Sequence, residues 1–271
     1  MRWCSFTTAS GGPARLGVVT PDEGSGRVLD VGGWARSRGA DSPADLVDLV
    51  ESSPANQERV ADLVRSAPAD GVGWVRREEV RFLAPLRAPA TLRQVSARTS
   101  ALPVFSHVPR RGVLGPDDDM AVPTYTDKLD VAGHVAAVVG RKGRDLEAED
   151  AVATVFGWTV MLHWSARDAA RDVVSALGPW VVTPDEWRPS GTHEVTLRVD
   201  GELWQAGATN DRPWTAGQVL SWVSRGEDLA AGDVVGLGPL VTARDDDRWL
   251  RVGQDVQVSV AGLGELHLRT G

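Results

Sequence analysis

Cys4 is the only cysteine of this chain, so no intrachain disulfide can form and a reducing compartment is expected. Lysine is almost as scarce, with Lys128 and Lys142 alone among 29 basic residues, and Tyr125 is the one tyrosine. The net charge is -8, and there is no basic stripe able to displace phosphate counterions, which excludes a nucleic-acid partner. No apolar run reaches the length of a membrane span, so no membrane partner is expected. The opening residues, Met1-Arg2-Trp3-Cys4-Ser5-Phe6, lack the apolar core and small-residue cleavage site of a signal peptide, and the expected location is the cytoplasm.

What is present is the composition of a globular protein: 42% hydrophobic, 24% charged, with eleven tryptophans. A chain of 271 residues can bury one large core and carry a smaller appendage. That appendage is expected over residues 1–83. It begins with strand-like runs at 3–8, 15–19 and 27–31, separated by turns at Gly11-Gly12-Pro13 and Asp22-Glu23-Gly24. Two helical patterns follow, one capped by Ser42-Pro43-Ala44-Asp45 and one near 55–66 that stops before Pro68. An alternating strand, 79–86, then runs into proline-rich turns, and the main domain is expected over 84–271.

The stretch Ala153–Asp168 organises the rest. Its first two-thirds is apolar and β-branched, like a strand buried on both faces, and it breaks into Ser165-Ala166-Arg167-Asp168. A buried strand ending in a polar turn often opens a site. Residues 131–140 read as a second long apolar strand, Leu177-Gly178-Pro179-Trp180 as a turn into a third, and Thr215-Ala216-Gly217-Gln218 as the cap of a helix ending at Gly226. In this order the segments resemble the fumarylacetoacetate hydrolase family. Trp164-Ser165-Ala166-Arg167-Asp168 is similar to the end of that family's Asn-Asp-Trp-Ser-Ala-Arg-Asp run, and 177–186 to its Gly-Pro-Trp turn and strand. The Gly-Asp turn at Gly232-Asp233 and the final turn Gly262-Leu263-Gly264 also match. The resemblance covers about Leu83 to Leu266. It implies an α+β, β-rich fold: a mixed β-roll with few helices and a small N-terminal β/α domain. It also implies cleavage or decarboxylation of enolisable oxo-acids with a divalent cation, and a homodimer.

The chemistry of the resemblance is altered. The family's paired ligand glutamates, two apart on a strand, fall on Ala132 and His134, and its ligand aspartate falls on His163. The segment 91–101 lacks the family's water-activating His and Glu, the short connection from Asp168 to Leu177 lacks its lysine, and Gly238-Pro239 lacks the threonine of its Gly-Thr-Pro turn. Four changes around one scaffold argue against metal-assisted hydrolysis. A zinc site built on two histidines needs a third protein ligand and none is evident, so neither metal nor cofactor is expected.

The expected catalytic set is His134 and His163, facing each other as an acid/base pair, with Arg167 and Asp168. Candidate substrate-binding residues are Tyr125, Trp158, Trp164, Gly178, Pro179 and Gln205, the two tryptophans lining an apolar pocket for an aromatic or polyketide-like ligand. The expected function is a repurposed, metal-independent isomerase, cyclase or carbon–carbon lyase acting on an enolisable carbonyl small molecule, in a setting such as bacterial secondary metabolism. The alternative is an inactive family member serving as a binding module or partner subunit, with both histidines filling space; under either reading Arg167 and Asp168 can form a structural salt bridge. The acidic runs 117–119 and 245–247 read as solvated turns, as does His193.

Overall fold

The computed structural model describes residues 1–20, 26–96, 102–243 and 248–271. The expected turn at 22–24, the end of the segment 91–101 and the acidic run 245–247 lie outside the described residues.

The N-terminal part runs β1 (Arg2–Thr8), β2 (Gly11–Val19), β3 (Arg27–Asp30), α1 (Val31–Ser37), α2 (Leu46–Glu51), α3 (Pro54–Arg65), β4 (Trp74–Arg76) and β5 (Val80–Leu83). After it come β6 (Leu92–Val95), β7 (Phe105–His107), β8 (Leu129–Val139), α4 (Ala148–Ala153), β9 (Val155–Ala166) and β10 (Arg171–Val182). The last third holds β11 (Glu194–Val199), β12 (Glu202–Ala208), α5 (Ala216–Ser224), β13 (Val234–Gly236), β14 (Val241–Thr242), β15 (Asp255–Val260) and β16 (Gly264–Arg269).

The fold is β-rich and mixed, with few helices. A 12-stranded sheet has the order β4-β3-β2-β1-β10-β9-β8-β13-β6-β7, with β5 added to β1 and β14 to β8, and a 4-stranded sheet has the order β12-β11-β15-β16. The N-terminal strands continue the large sheet: Arg2 pairs with Val182 and Trp3 with Val181, so β1 extends the edge that β10 would otherwise expose. β13 runs parallel to β6 and antiparallel to β8.

Period-two alternation decides what each face of the long central strands meets. Val131, Val135, Val160, Leu162 and Trp164 share one core with Leu197 and Val258 of the small sheet and with Val219, Leu220 and Val223 of α5. On the other face Ala136, Val138, Met161 and Leu177 pack with Leu46, Leu49 and Val60 of the N-terminal helices. This double coverage is why all eleven residues of β8 are buried.

The local signals hold where they are explicit. Thr215 and Gln218 form the capping box of α5, and Ser53 caps α3 with a proline in its first turn. Helix α2 starts at Leu46, not at 42, because Asp45 is the residue whose carboxylate accepts from Asp48 N–H. Helix α1 was not expected. Val31, Gly32 and Gly33 give a poor helical signal, and what nucleates the turn is the Asp30 carboxylate accepting the Gly33 N–H at 2.9 Å.

Candidate active site

The antiparallel ladder between β8 and β9 pairs Ala132 with His163 and His134 with Met161. Both histidines therefore sit on one face, a diagonal step apart, together with Asp130 and Ser165. Their side chains engage opposite neighbours. His163 leans toward β10, where Nδ1 lies 2.9 Å from Ser175 Oγ and Nε2 lies 2.7 Å from Asp172 Oδ1. His134 lies against β13 on the other side: a Cβ added to Gly236 would stand 3.4 Å from its Nδ1. They do not form the facing pair expected from the sequence, because each fills the gap toward a different flanking strand.

Asp172 can only accept, so His163 Nε2 carries the proton, and Nδ1 accepts from the Ser175 hydroxyl. The result is a hydrogen-bonded row, Ser175 to His163 to Asp172. Its inner members are buried, His163 at 2% and Ser175 at 0% exposure, while the Asp172 side chain is 35% exposed. The His163 hydrogen bond holds the Asp172 carboxyl below its ordinary range against the opposing effect of partial burial, with the Arg167 charge adding to the lowering. A carboxyl with a depressed pKa contributes stability that is complete above its unfolded value, about 3.9, and is lost as pH falls through the lower folded value. Asp172→Asn is expected to remove that step from the acid limb of a pH–stability curve, below about pH 4, measured by chemical denaturation.

Asp172 and Ser175 were missed in the sequence, although a signal existed for Asp172. The connection that lacks the family's lysine is a four-residue turn, 167–170, with Ala170 at φ 49, and the strands on either side pair directly. Counting from that turn pairs Ser165 with Asp172, on the face of His163, and an extra residue in β10 between Asp172 and Val174 then brings Ser175 opposite His163.

Arg167 and Asp168 do not pair with each other. Arg167 donates through Nε and Nη2 to Asp130 Oδ2 at 2.8 and 2.6 Å, and the Thr242 hydroxyl donates to the other oxygen of Asp130 at 2.9 Å. Asp168 accepts from the Thr126 hydroxyl and from Asp127 N–H, fastening the turn to the chain before β8. Both have structural partners. Gln205 accepts the Thr242 N–H and so braces β14. Tyr125 is half exposed at the hairpin tip with the Arg171 guanidinium 5.4 Å over its ring. Gly178-Pro179, joined by a cis peptide, lies against Pro116 and Pro85.

The tryptophans need correction. Trp164 alternates with His163 and so points to the opposite face, into the α5 core, at 0% exposure. Trp158 is on that face too. Neither can line a pocket over the histidines. Cys4 is likewise remote from chemistry, since burial pushes its thiol pKa up and keeps it protonated. Asp117 and Asp118 hold Arg77 and Arg81, and His193 stacks on Trp187.

A roll of mixed strands whose large sheet is covered on one face by the small sheet and α5 and on the other by the N-terminal helices defines the class. The chain belongs to the fumarylacetoacetate (FAA) hydrolase C-terminal family, which matches residues 82–270. Among relatives, it is 28% identical to the mitochondrial oxaloacetate tautomerase FAHD2B of Bos taurus, over 82% of this chain and 78% of that protein. Among solved structures, the fumarylacetoacetate hydrolase of the psychrophile Exiguobacterium antarcticum superposes with a TM-score of 0.80 at 25% identity, covering 100% of this chain and 99% of that one. A maleylpyruvate hydrolase from Sphingobium sp. SYK-6, solved with manganese(II) and pyruvate, superposes at 0.80 with 20% identity, covering 100% and 98%.

The donor set for such a cation does not fit here. Ala132 offers no donor, both ring nitrogens of His163 are engaged, and no group of three His, Cys, Asp or Glu side chains among the described residues could hold a metal ion. No helix among the described residues is long and apolar enough to cross a membrane.

Proposed function

We propose that this chain is a metal-independent proton-transfer enzyme, a tautomerase or isomerase acting on an enolisable oxo-acid. The observation that supports this is the row in which Asp172, partly open to solvent, is held by buried His163 at 2.7 Å. Tautomerisation needs only that one proton leave carbon and one reach oxygen. A positioned carboxylate can do both in turn, and the oxaloacetate tautomerase relative carries out a reaction of this kind by its name.

Asp172 is the group that takes and returns the proton. His163, too buried to touch a substrate, acts through it as a positioning residue, fixing the carboxylate and holding it ionised. The substrate's carboxylate and the developing enolate meet positive charge from the exposed part of Arg167, whose charge also reaches Asp172. Cyclisation or carbon–carbon cleavage would ask for a further group that the row does not supply.

The test is keto–enol conversion of oxaloacetate by protein freed of divalent ions with a chelator. The expected result is an acceleration over buffer that chelation leaves unchanged. No acceleration, or one that appears only on adding Mg²⁺ or Mn²⁺, would sink the reading. The burial of His134 and His163, at 1% and 2% exposure, favours the alternative of a catalytically silent binding module, and that alternative predicts no acceleration under either condition.

A further inference from the structure

Across the large sheet from the two histidines, a cleft of about 860 Å³ opens between α4, the first turn of α5 and the segments around 184–190 and 209–215. Trp158 lines it, five residues back along β9 from His163, which at strand spacing is about 16 Å away and on the opposite face. The volume is that of a small-molecule site. Donors line it on several sides, the guanidinium groups of Arg141, Arg188 and Arg212 and the indoles of Trp158 and Trp214, against the one carboxylate of Glu149.

Two of those donors are shut away from water without an acceptor. Trp158 is 1% exposed and its Nε1–H has no partner. Arg212 lines the same cleft, spends Nε on the Thr209 carbonyl at 3.0 Å and leaves Nη1 buried and unmatched. No carboxylate among the described residues pairs with this guanidinium, and burial pulls its pKa down to about 10, which leaves it charged at neutral pH. Each buried donor without an acceptor costs about 1–3 kcal/mol, and while Trp164 Nε1 in the neighbouring core is another, the two here coincide with a cleft rich in guanidinium groups, where an acceptor could enter. Arg141 and Arg188 also line the cleft and each reaches only a backbone carbonyl, while Glu149 is the one acidic residue in the lining. The helix α5 adds the positive end of its dipole at Thr215, Ala216 and Gly217. Trp214, partly exposed, supplies a flat apolar wall, with Trp158 buried behind the lining.

We propose that this cleft is a second ligand site, separate from the Asp172 row, for an organic anion with a flat apolar body, such as an aromatic carboxylate or sulfonate. The anionic head is taken by Arg212, with Arg141 and Arg188 at the rim, and the body lies against Trp214. A cation finds one carboxylate against three guanidinium groups, and a neutral aromatic leaves the donors unmatched.

The probe is 1-anilinonaphthalene-8-sulfonate, titrated into the full chain and followed by its own fluorescence and by quenching of the tryptophans. Saturable one-to-one binding is expected. Arg212→Met should weaken it about tenfold or more, the loss of one charge-assisted hydrogen bond, while the neutral analogue N-phenyl-1-naphthylamine binds both proteins alike. Because Arg212 has no carboxylate partner among the described residues, the same substitution should leave the melting temperature of the ligand-free protein unchanged or raised. A structural arginine would lower it. Arg188→Gln, an exposed change that leaves the core intact, should weaken the sulfonate about threefold and not the neutral analogue. The proposal is overturned if the sulfonate fails to saturate, if Arg212→Met and Arg188→Gln both bind it like the parent chain, or if the neutral probe loses as much as the anion. Oxaloacetate turnover plays no part in these readings, so failure here and failure of the tautomerase reading are distinguishable.

Discussion

Arg167→Met is expected to destabilise the fold by about 3 kcal/mol, and the double variant Arg167→Met with Asp130→Asn to recover at least half of that loss. The reason is an asymmetry of burial. Asp130 is 0% exposed, at the start of a strand otherwise made largely of apolar residues, and its charge is met by two guanidinium N–H groups and the Thr242 hydroxyl. Arg167 is 38% exposed, so water can take part of its charge and the figure belongs at the lower end of the range for buried pairs. Deleting the arginine strands a carboxylate inside the sheet, and neutralising the carboxylate as well removes what was stranded. Asn at 130 still accepts from Thr242. For a chain of this size the single variant should melt roughly 6–10 °C lower. A double variant no more stable than Arg167→Met would show that charge is not what the pair resolves.

That pair also marks the limit of what could be read from residues alone. The long strands β8, β9 and β10 are written plainly in apolar runs that end at Gly140, Arg167 and Thr183, and the caps of α3 and α5 are explicit. The continuation of the large sheet through β1 was not legible, because Trp3 and Val181 lie far apart in sequence and nothing local selects one apolar edge over another. In Arg167-Asp168 the residues look complementary as neighbours, yet each reaches a partner some forty positions away, Asp130 and Thr126. The tryptophan assignment had its answer in the sequence: His163 and Trp164 are adjacent in a strand, so a site that uses one cannot use the other from the same side. The same alternation, applied with the turn at 167–170, places Asp172 beside His163 from the residues alone.

Asp172→Asn is expected to lower kcat for oxaloacetate enol–keto conversion by about 100-fold or more, a barrier increase of roughly 2.7 kcal/mol, with KM within a few-fold. The amide oxygen still accepts from His163 Nε2, so the row and the turn survive while the proton acceptor is lost. His134→Asn should change kcat less than about threefold, since that side chain lies on the β13 side and away from Asp172. His163→Phe separates positioning from chemistry. Without the Nε2–H bond the Asp172 pKa rises toward its ordinary value, about 3.9, so the acid limb of the kcat profile should move to higher pH while activity on the plateau falls less than in Asp172→Asn. An Asp172→Asn protein that keeps more than about a third of parental kcat would take this carboxylate out of the reaction, and an unmoved acid limb in His163→Phe would take away the role given to the imidazole. If both happened together, the row would be a packing device that replaced the metal ligands without inheriting their work, and the donors left open across the sheet would be the stronger guide to what this chain binds.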